Sequence, residues 1–223
     1  MNNYFISINR LAEFSGATES GRRRIITEQI SPNPFKTPWY QLSKARMKQS
    51  LRANGDLQPI YDGINILMNR VTNNPRQQND KTVSLEAFQR FIQMKLPDIL
   101  GEIDYTIIKA DTNSVIIEDV EVIVAPDLII KGALNGKTVI GGIKIHISKA
   151  RPFDYKKAVY VASIIHKFLV DRVAKSDEIV MPELCFSLDV FGERIVPAPD
   201  NTGTIMSEIS DICLGIKSTW KVA

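Results

Sequence analysis

The chain predicts an α/β fold of α+β type: a mixed sheet flanked by helices, preceded by a helical N-terminal region. Three observations predict it. Apolar residues recur at helical spacing through the first third of the 223 residues, while strand-like runs dominate from residue 103 to 148. Asn135-Gly136, a pair suited to a two-residue hairpin turn, stands between the last two of those runs. The second half then reads helix, strands, helix, strands, helix, the order of a sheet covered by helices.

In chain order, residues 7–30 read as two short helices in a helix-turn-helix arrangement. Ala12, Gly16 and Ile25 stand where a small residue, a turn glycine and a packing aliphatic are wanted. Arg22 falls where such units bury an aliphatic, and Thr18 or Ser20 caps the second helix. SPNPFKTPWY (31–40) is a proline-rich connector, in which Trp39 and Tyr40 either anchor the chain to the core or stack on bases. Helices follow over 41–53 and 57–71, and TNNPRQQNDK (72–81) reads as a polar loop. That loop divides a basic helical region (1–75) from a sheet-bearing core (82–223). Ser84 caps a helix to about Leu100, and strands are predicted at 103–108, 114–124, 126–134 and 137–148. An amphipathic helix spans 154–173, two strands meet around Phe191-Gly192, and a last helix covers 203–220.

Composition narrows the classes. No apolar run reaches the length of a membrane span, and the N-terminus lacks a basic start followed by an apolar stretch, so a cytoplasmic protein without a membrane is expected. Cys185 and Cys213 lack metal-ligand spacing and read as buried reduced thiols. The net charge of +3 hides an asymmetry: residues 19–52 hold eight Lys or Arg against Glu19 and Glu28. Arg22, Arg23, Arg24, Lys44, Arg46 and Lys48 are the candidate contacts to a polyanion, most simply DNA. The competing reading is a solvated helical face.

The hairpin supplies a candidate site. If Asn135-Gly136 is a two-residue turn, Leu134 pairs with Lys137, and counting back puts Asp127 opposite Lys144 with Cβ atoms roughly 5 Å apart. Alternation places Asp127, Lys144 and His146 on one face and Ile143, Ile145 and Ile147 on the other. An aspartate holds a divalent cation through oxygen, a lysine steadies developing negative charge, and a histidine moves protons. A plain cross-strand ion pair is the alternative. Asp189 joins this group only if its strand is adjacent.

PDLIIKGALNGKTVIGGIKIHIS resembles the PD-(D/E)XK nuclease superfamily, with Pro126-Asp127 as the first element and Lys144 as the family lysine. The resemblance covers about half the chain. It implies a restriction-endonuclease-like core of helix, three strands, helix and strand over 82–223. It also implies Mg2+ or Mn2+ as cofactor and phosphodiester hydrolysis as activity, with Asp127, Lys144 and His146 catalytic. The family acid two residues before the lysine is Gly142 here, so the metal would need Asp127 with a displaced carboxylate, Glu86 or Glu102. Glu121 shares the face of Asp127 but lies six residues away, about 20 Å along a strand. The whole chain also resembles bacterial proteins with an Arg-rich helical N-terminus found on mobile elements. Three functions follow as expectations: a metal-dependent nuclease on DNA, a nuclease fold that binds nucleic acid without catalysis, or an interaction protein, such as a homodimer, that binds through its N-terminal helices.

Overall fold

A computed structural model describes residues 4–32 and 39–222. Lys36 and the centre of the proline connector lie outside the described residues. The fold is mixed α/β, as the sequence predicts.

The described residues begin with a short strand, β1 (Tyr4–Ser7), before α1 (Ile8–Ser15) and α2 (Glu19–Ile30). Ser7 and Thr18 cap the two helices by accepting from the backbone N–H groups of Arg10 and Gly21. Then come α3 (Gln41–Arg52), α4 (Gln58–Met68), α5 (Pro75–Gln93) and the single turn α6 (Ile99–Glu102). The polar stretch read as a loop over 72–81 is therefore helical from Pro75. Asn74 caps it through its side chain, and Pro75 takes the first-turn position where a missing N–H costs nothing. Ser84 is not a cap: it is buried inside α5, and its carbonyl accepts from the Ser43 hydroxyl.

Two sheets follow. The smaller has the order β1-β4-β3, from β3 (Ser114–Ile117) and β4 (Val120–Ile123), with β1 parallel to β4. The single strand predicted over 114–124 is thus a hairpin. Glu118 and Asp119 turn it with both φ angles in the left-handed region, at 49° and 60°. The larger sheet, order β2-β5-β6-β7-β8, comprises β2 (Tyr105–Ile108), β5 (Leu128–Leu134), β6 (Lys137–His146), β7 (Ile179–Asp189) and β8 (Arg194–Pro197). The helix α7 (Tyr155–Arg172) crosses from β6 to its parallel neighbour β7, and α8 (Gly203–Trp220) ends the chain.

The larger sheet separates two cores. One face packs on α1, α2, α7, α8 and the smaller sheet, and the other on α3, α4, α5 and α6. Alternation along the strands explains the division: Ile129 and Ile140 enter the first core, while Leu128, Ile130, Ile143 and Ile145 enter the second. The basic N-terminal region is thereby split, with residues 4–32 on one face of the sheet and 39–68 on the other. Residues 4–32 are tied into the fold by β1 and by Trp220 of α8, which packs edge-on against Tyr4 and Phe5.

Two glycines in β6 are required by close approach. A Cβ on Gly141 would collide with the backbone of Leu184, where β7 is irregular and its register against β6 shifts. A Cβ on Gly142 would lie 2.7 Å from Ile165 of α7.

Candidate functional site

The β5–β6 hairpin has the expected register, from Leu134↔Lys137 down to Leu128↔Ile143. Asn135 and Gly136 both take positive φ, at 51° and 76°, as a tight primed turn requires. One residue further back, the ladder ends. Ala125 adopts φ 39° and Pro126 follows, so the chain swings away from β6 at Asp127. The backbone N–H of Asp127 still reaches the Ile143 carbonyl at 2.8 Å. Its side chain then takes over from the departed strand: Oδ2 accepts from the Ile145 N–H at 2.9 Å. A carboxylate thus satisfies a ladder donor that would otherwise have no partner strand.

The other oxygen of Asp127 faces α3. Lys44 and Lys48, one helical turn apart, bring their ammonium groups to 3.0 Å and 3.8 Å of Oδ1. Lys144 does not bond to Asp127. Its ammonium donates to the carbonyls of Val124 at 2.9 Å and Ala125 at 2.6 Å, in the same swing of chain that carries Asp127. Burial draws the Lys144 pKa down to about 8, the nearby Asp127 charge opposes that, and Lys44 and Lys48 add to it. Asp127 and Lys144 are brought together as the register predicts, but each holds the backbone rather than the other.

The remaining candidates fall elsewhere. Glu86 sits on α5 with Lys149 at 2.6 Å and Arg90 at 3.1 Å, and the Lys149 bond first of all holds its carboxyl below the usual range. Glu102 is exposed at the end of α6. Glu121 belongs to the smaller sheet, where it accepts from the Ser114 hydroxyl. Gly142 faces the apolar side of α7, so the position where the resemblance wants an acid is closed by Ile165 and Leu169. No group of three or more His, Cys, Asp and Glu suited to a metal ion occurs among the described residues.

His146 lies next to Lys144 on the same face but is built differently. Its ring stacks on Phe153, centroids 3.7 Å apart and nearly parallel. Nε2 is 2.8 Å from the Arg151 carbonyl, which only an N–H can satisfy, so Nδ1 carries the lone pair and faces the Asn9 amide nitrogen at 3.5 Å. Burial lowers its pKa, against the Arg151 carbonyl and the charges of Asp189 and Glu13. Asp189 does stand beside it, paired across β6 and β7, on the side of β6 away from Asp127. Its carboxylate accepts from the N–H groups of Phe153, Phe191 and Gly192 and so pins the loop that carries Arg151.

The six basic candidates divide. Lys44 and Lys48 meet Asp127. Arg46 points away and donates to Gln49. Arg22 lies over the Phe14 ring and donates to the carbonyls of Phe14 and Ser15, which explains an arginine at an aliphatic position. Arg23 pairs with Glu19, and Arg24 stands 4.0 Å from Glu28. A network that sequence reasoning missed lies between α1 and the β6–α7 loop: Arg10 and Arg151 both donate to one oxygen of Glu13, at 2.7 Å and 2.9 Å. Arg10 and Glu13 carry a local signal, opposite charges one turn apart, whereas nothing local marks Arg151.

Compared with known proteins, the chain matches no protein-family model and no curated protein. Among the described residues, no helix is long and apolar enough to cross a membrane. Cys185 and Cys213 are buried and unpaired.

Proposed function

We propose that the protein is a nucleic-acid-binding module on a nuclease-like scaffold, one that grips the phosphates of DNA without cutting them. The observation that carries this reading is the surplus of ammonium groups about a single carboxylate: Lys44, Lys48 and Lys144 gather round Asp127. Such a cluster favours an anion once Lys44 and Lys48, each about a third exposed, turn outward while buried Lys144 stays on its two carbonyls, and phosphate contacts of this kind dominate affinity for nucleic acid. The donor set is poorly suited to Mg2+ or Mn2+, which sites of this kind hold through carboxylate oxygens left free for the metal. Asp127 offers its oxygens to two ammonium groups and an N–H, and the neighbouring position is Gly142, covered by α7.

One observation favours a second reading, hydrolysis of the phosphodiester. The elements α5, β2, β5, β6, α7 and β7 follow the helix, three strands, helix, strand order of the PD-(D/E)XK core, with the β3–β4 hairpin inserted. Fluorescence anisotropy with labelled DNA across a salt series, run beside a cleavage assay in Mg2+ and Mn2+, separates the two. Binding that weakens steeply with salt, that falls about tenfold or more in a Lys44→Ala/Lys48→Ala variant, and that leaves DNA uncut is the expected result. Cleavage abolished by both Asp127→Ala and Lys144→Ala would establish the second reading instead. Binding that is absent or indifferent to salt sinks the first.

A further inference from the structure

Two cavities flank the Arg10–Glu13–Arg151 network. One, of about 300 Å³, lies between α2 and the start of α7, with Arg24, Arg151 and Lys157 on its wall. The other, of about 890 Å³, lies between α1, α3 and the end of β6, with Arg10, Lys44 and Lys149 on its wall. Glu13, Ala150 and Arg151 line both, so the two depressions adjoin across a shared wall. The combined lining holds six Lys or Arg side chains and one carboxylate, Glu13, while Glu28, Asp127, Glu86 and Asp154 pair with Arg10 and Arg24, Lys44, Lys149 and Lys157 from its edge. Trp39 and Tyr40 line the larger cavity. Tyr40 is engaged with the Phe191 ring, whereas Trp39 is 39% exposed, with Arg76 on its ring.

Resting on the nucleic-acid reading above, we propose that this double depression is a track for single-stranded nucleic acid, with phosphates on the arginine–lysine wall and a base on Trp39. A cationic groove combined with an accessible aromatic ring is how single strands are held without sequence readout, because only an unpaired base offers its face for stacking. Glu13 has a particular place in this track. One of its oxygens bridges two guanidinium groups, which is the bonding a phosphate oxygen would make there. The carboxylate therefore competes with the ligand for Arg10 and Arg151, and an incoming phosphate displaces it.

The test is anisotropy with the full chain and labelled oligonucleotides of about 12 nucleotides, single-stranded and duplex. The single strand is expected to bind at least about tenfold tighter than the duplex. Trp39→Ala should weaken it about tenfold, a common result of losing one stacked base. Lys149→Glu should weaken it similarly, and Glu13→Gln should tighten it severalfold. Lys137→Glu, in the hairpin turn about 30 Å along β6 from His146, should leave it unchanged. Duplex bound as well as single strand, with Trp39→Ala and Glu13→Gln neutral while Lys44→Ala/Lys48→Ala still weakens binding, overturns the track and leaves the reading of the Asp127 cluster standing. No binding to either form overturns both.

Discussion

Two aspartates flank the carboxyl-terminal end of β6, and they are held in different ways. Asp189, on the β7 side, accepts from three backbone N–H groups. Asp127, on the β5 side, accepts one backbone N–H and turns its other oxygen to two lysine side chains. Both are nearly or wholly buried. An amide donor is part of the main chain and cannot leave without unfolding its loop. A lysine at the end of a flexible stem can swing out, and Lys44 and Lys48 are each about a third exposed. One aspartate is therefore a fastening, and the other a counter-ion whose partners are free to change. The proposed function draws on the second side, and stability rests on the first.

The largest expected effect breaks the comparison at Gly142. Gly142→Glu supplies the acid that the nuclease resemblance wants, but its Cβ would press on Ile165 and its carboxylate would lie under α7. A loss of about 4 kcal/mol or outright failure to fold is expected, from overpacking and a buried unpaired charge together. Urea unfolding measures it. A folded variant that gains Mg2+-dependent cleavage would show that the Asp127 side is a catalytic site lacking only its second ligand.

The next effect compares the two aspartates directly. Asp189→Ala leaves three N–H groups, one buried and two part-buried, without an acceptor and should cost about 3 kcal/mol. Asp127→Ala leaves one, and frees two partly exposed lysines, for about 1 kcal/mol. Polyanion affinity should rise in the Asp127 variant only. Equal losses of stability in parallel denaturation experiments would erase the distinction.

The smallest effects are in pH. Lys144 and His146 both have lowered pKa values in the fold, so the unfolded chain binds more protons than the folded one in each window, and stability rises with pH through both. For His146 the stability of the neutral ring is present above about pH 6.5 and is lost as pH falls through the lower folded value. For Lys144 the rise runs from about pH 8 to the ordinary lysine value of 10.5. Unfolding measured along a pH series should show the acid limb directly; in the alkaline window the buried thiols of Cys185 and Cys213, whose pKa values burial raises, oppose Lys144, so Lys144→Met should make the alkaline fall in stability steeper. An alkaline profile unchanged by Lys144→Met sinks the assignment.

Legibility in the sequence followed locality. The β5–β6 register was readable because Asn135-Gly136 sets it within two residues, and that register brought Asp127 and Lys144 together. The helices with clear apolar stripes, α7 and α8, were readable for the same reason. The β3–β4 turn was hidden because Glu118-Asp119 resembles an ordinary solvent-facing pair within an apolar run, and Asp119 is steadied by distant Lys217 at 2.8 Å. The start of α5 at Asn74-Pro75 was readable in principle, since it is a capping residue followed by a first-turn proline, but the polar stretch around it reads as a loop. The approach of Lys44 and Lys48 to Asp127 was beyond reach, since α3 meets β5 only through the packing of a whole core. Arg151 reaches the local Arg10–Glu13 pair from across the chain in the same way.

The parallel pairing of β1 with β4 has a consequence in time. Tyr4 leaves the ribosome more than a hundred residues ahead of its partner Val120. At about 5–20 residues per second, the first strand waits on the order of 6–20 s for the edge it will join. Until then α1 and α2 lack most of the apolar surface that covers Ile8, Leu11 and Ile26, since that surface comes from β3, β4, α7 and α8. Birth order and assembly order are therefore opposed here, and β1, made well before its sheet partners, is held back until they arrive.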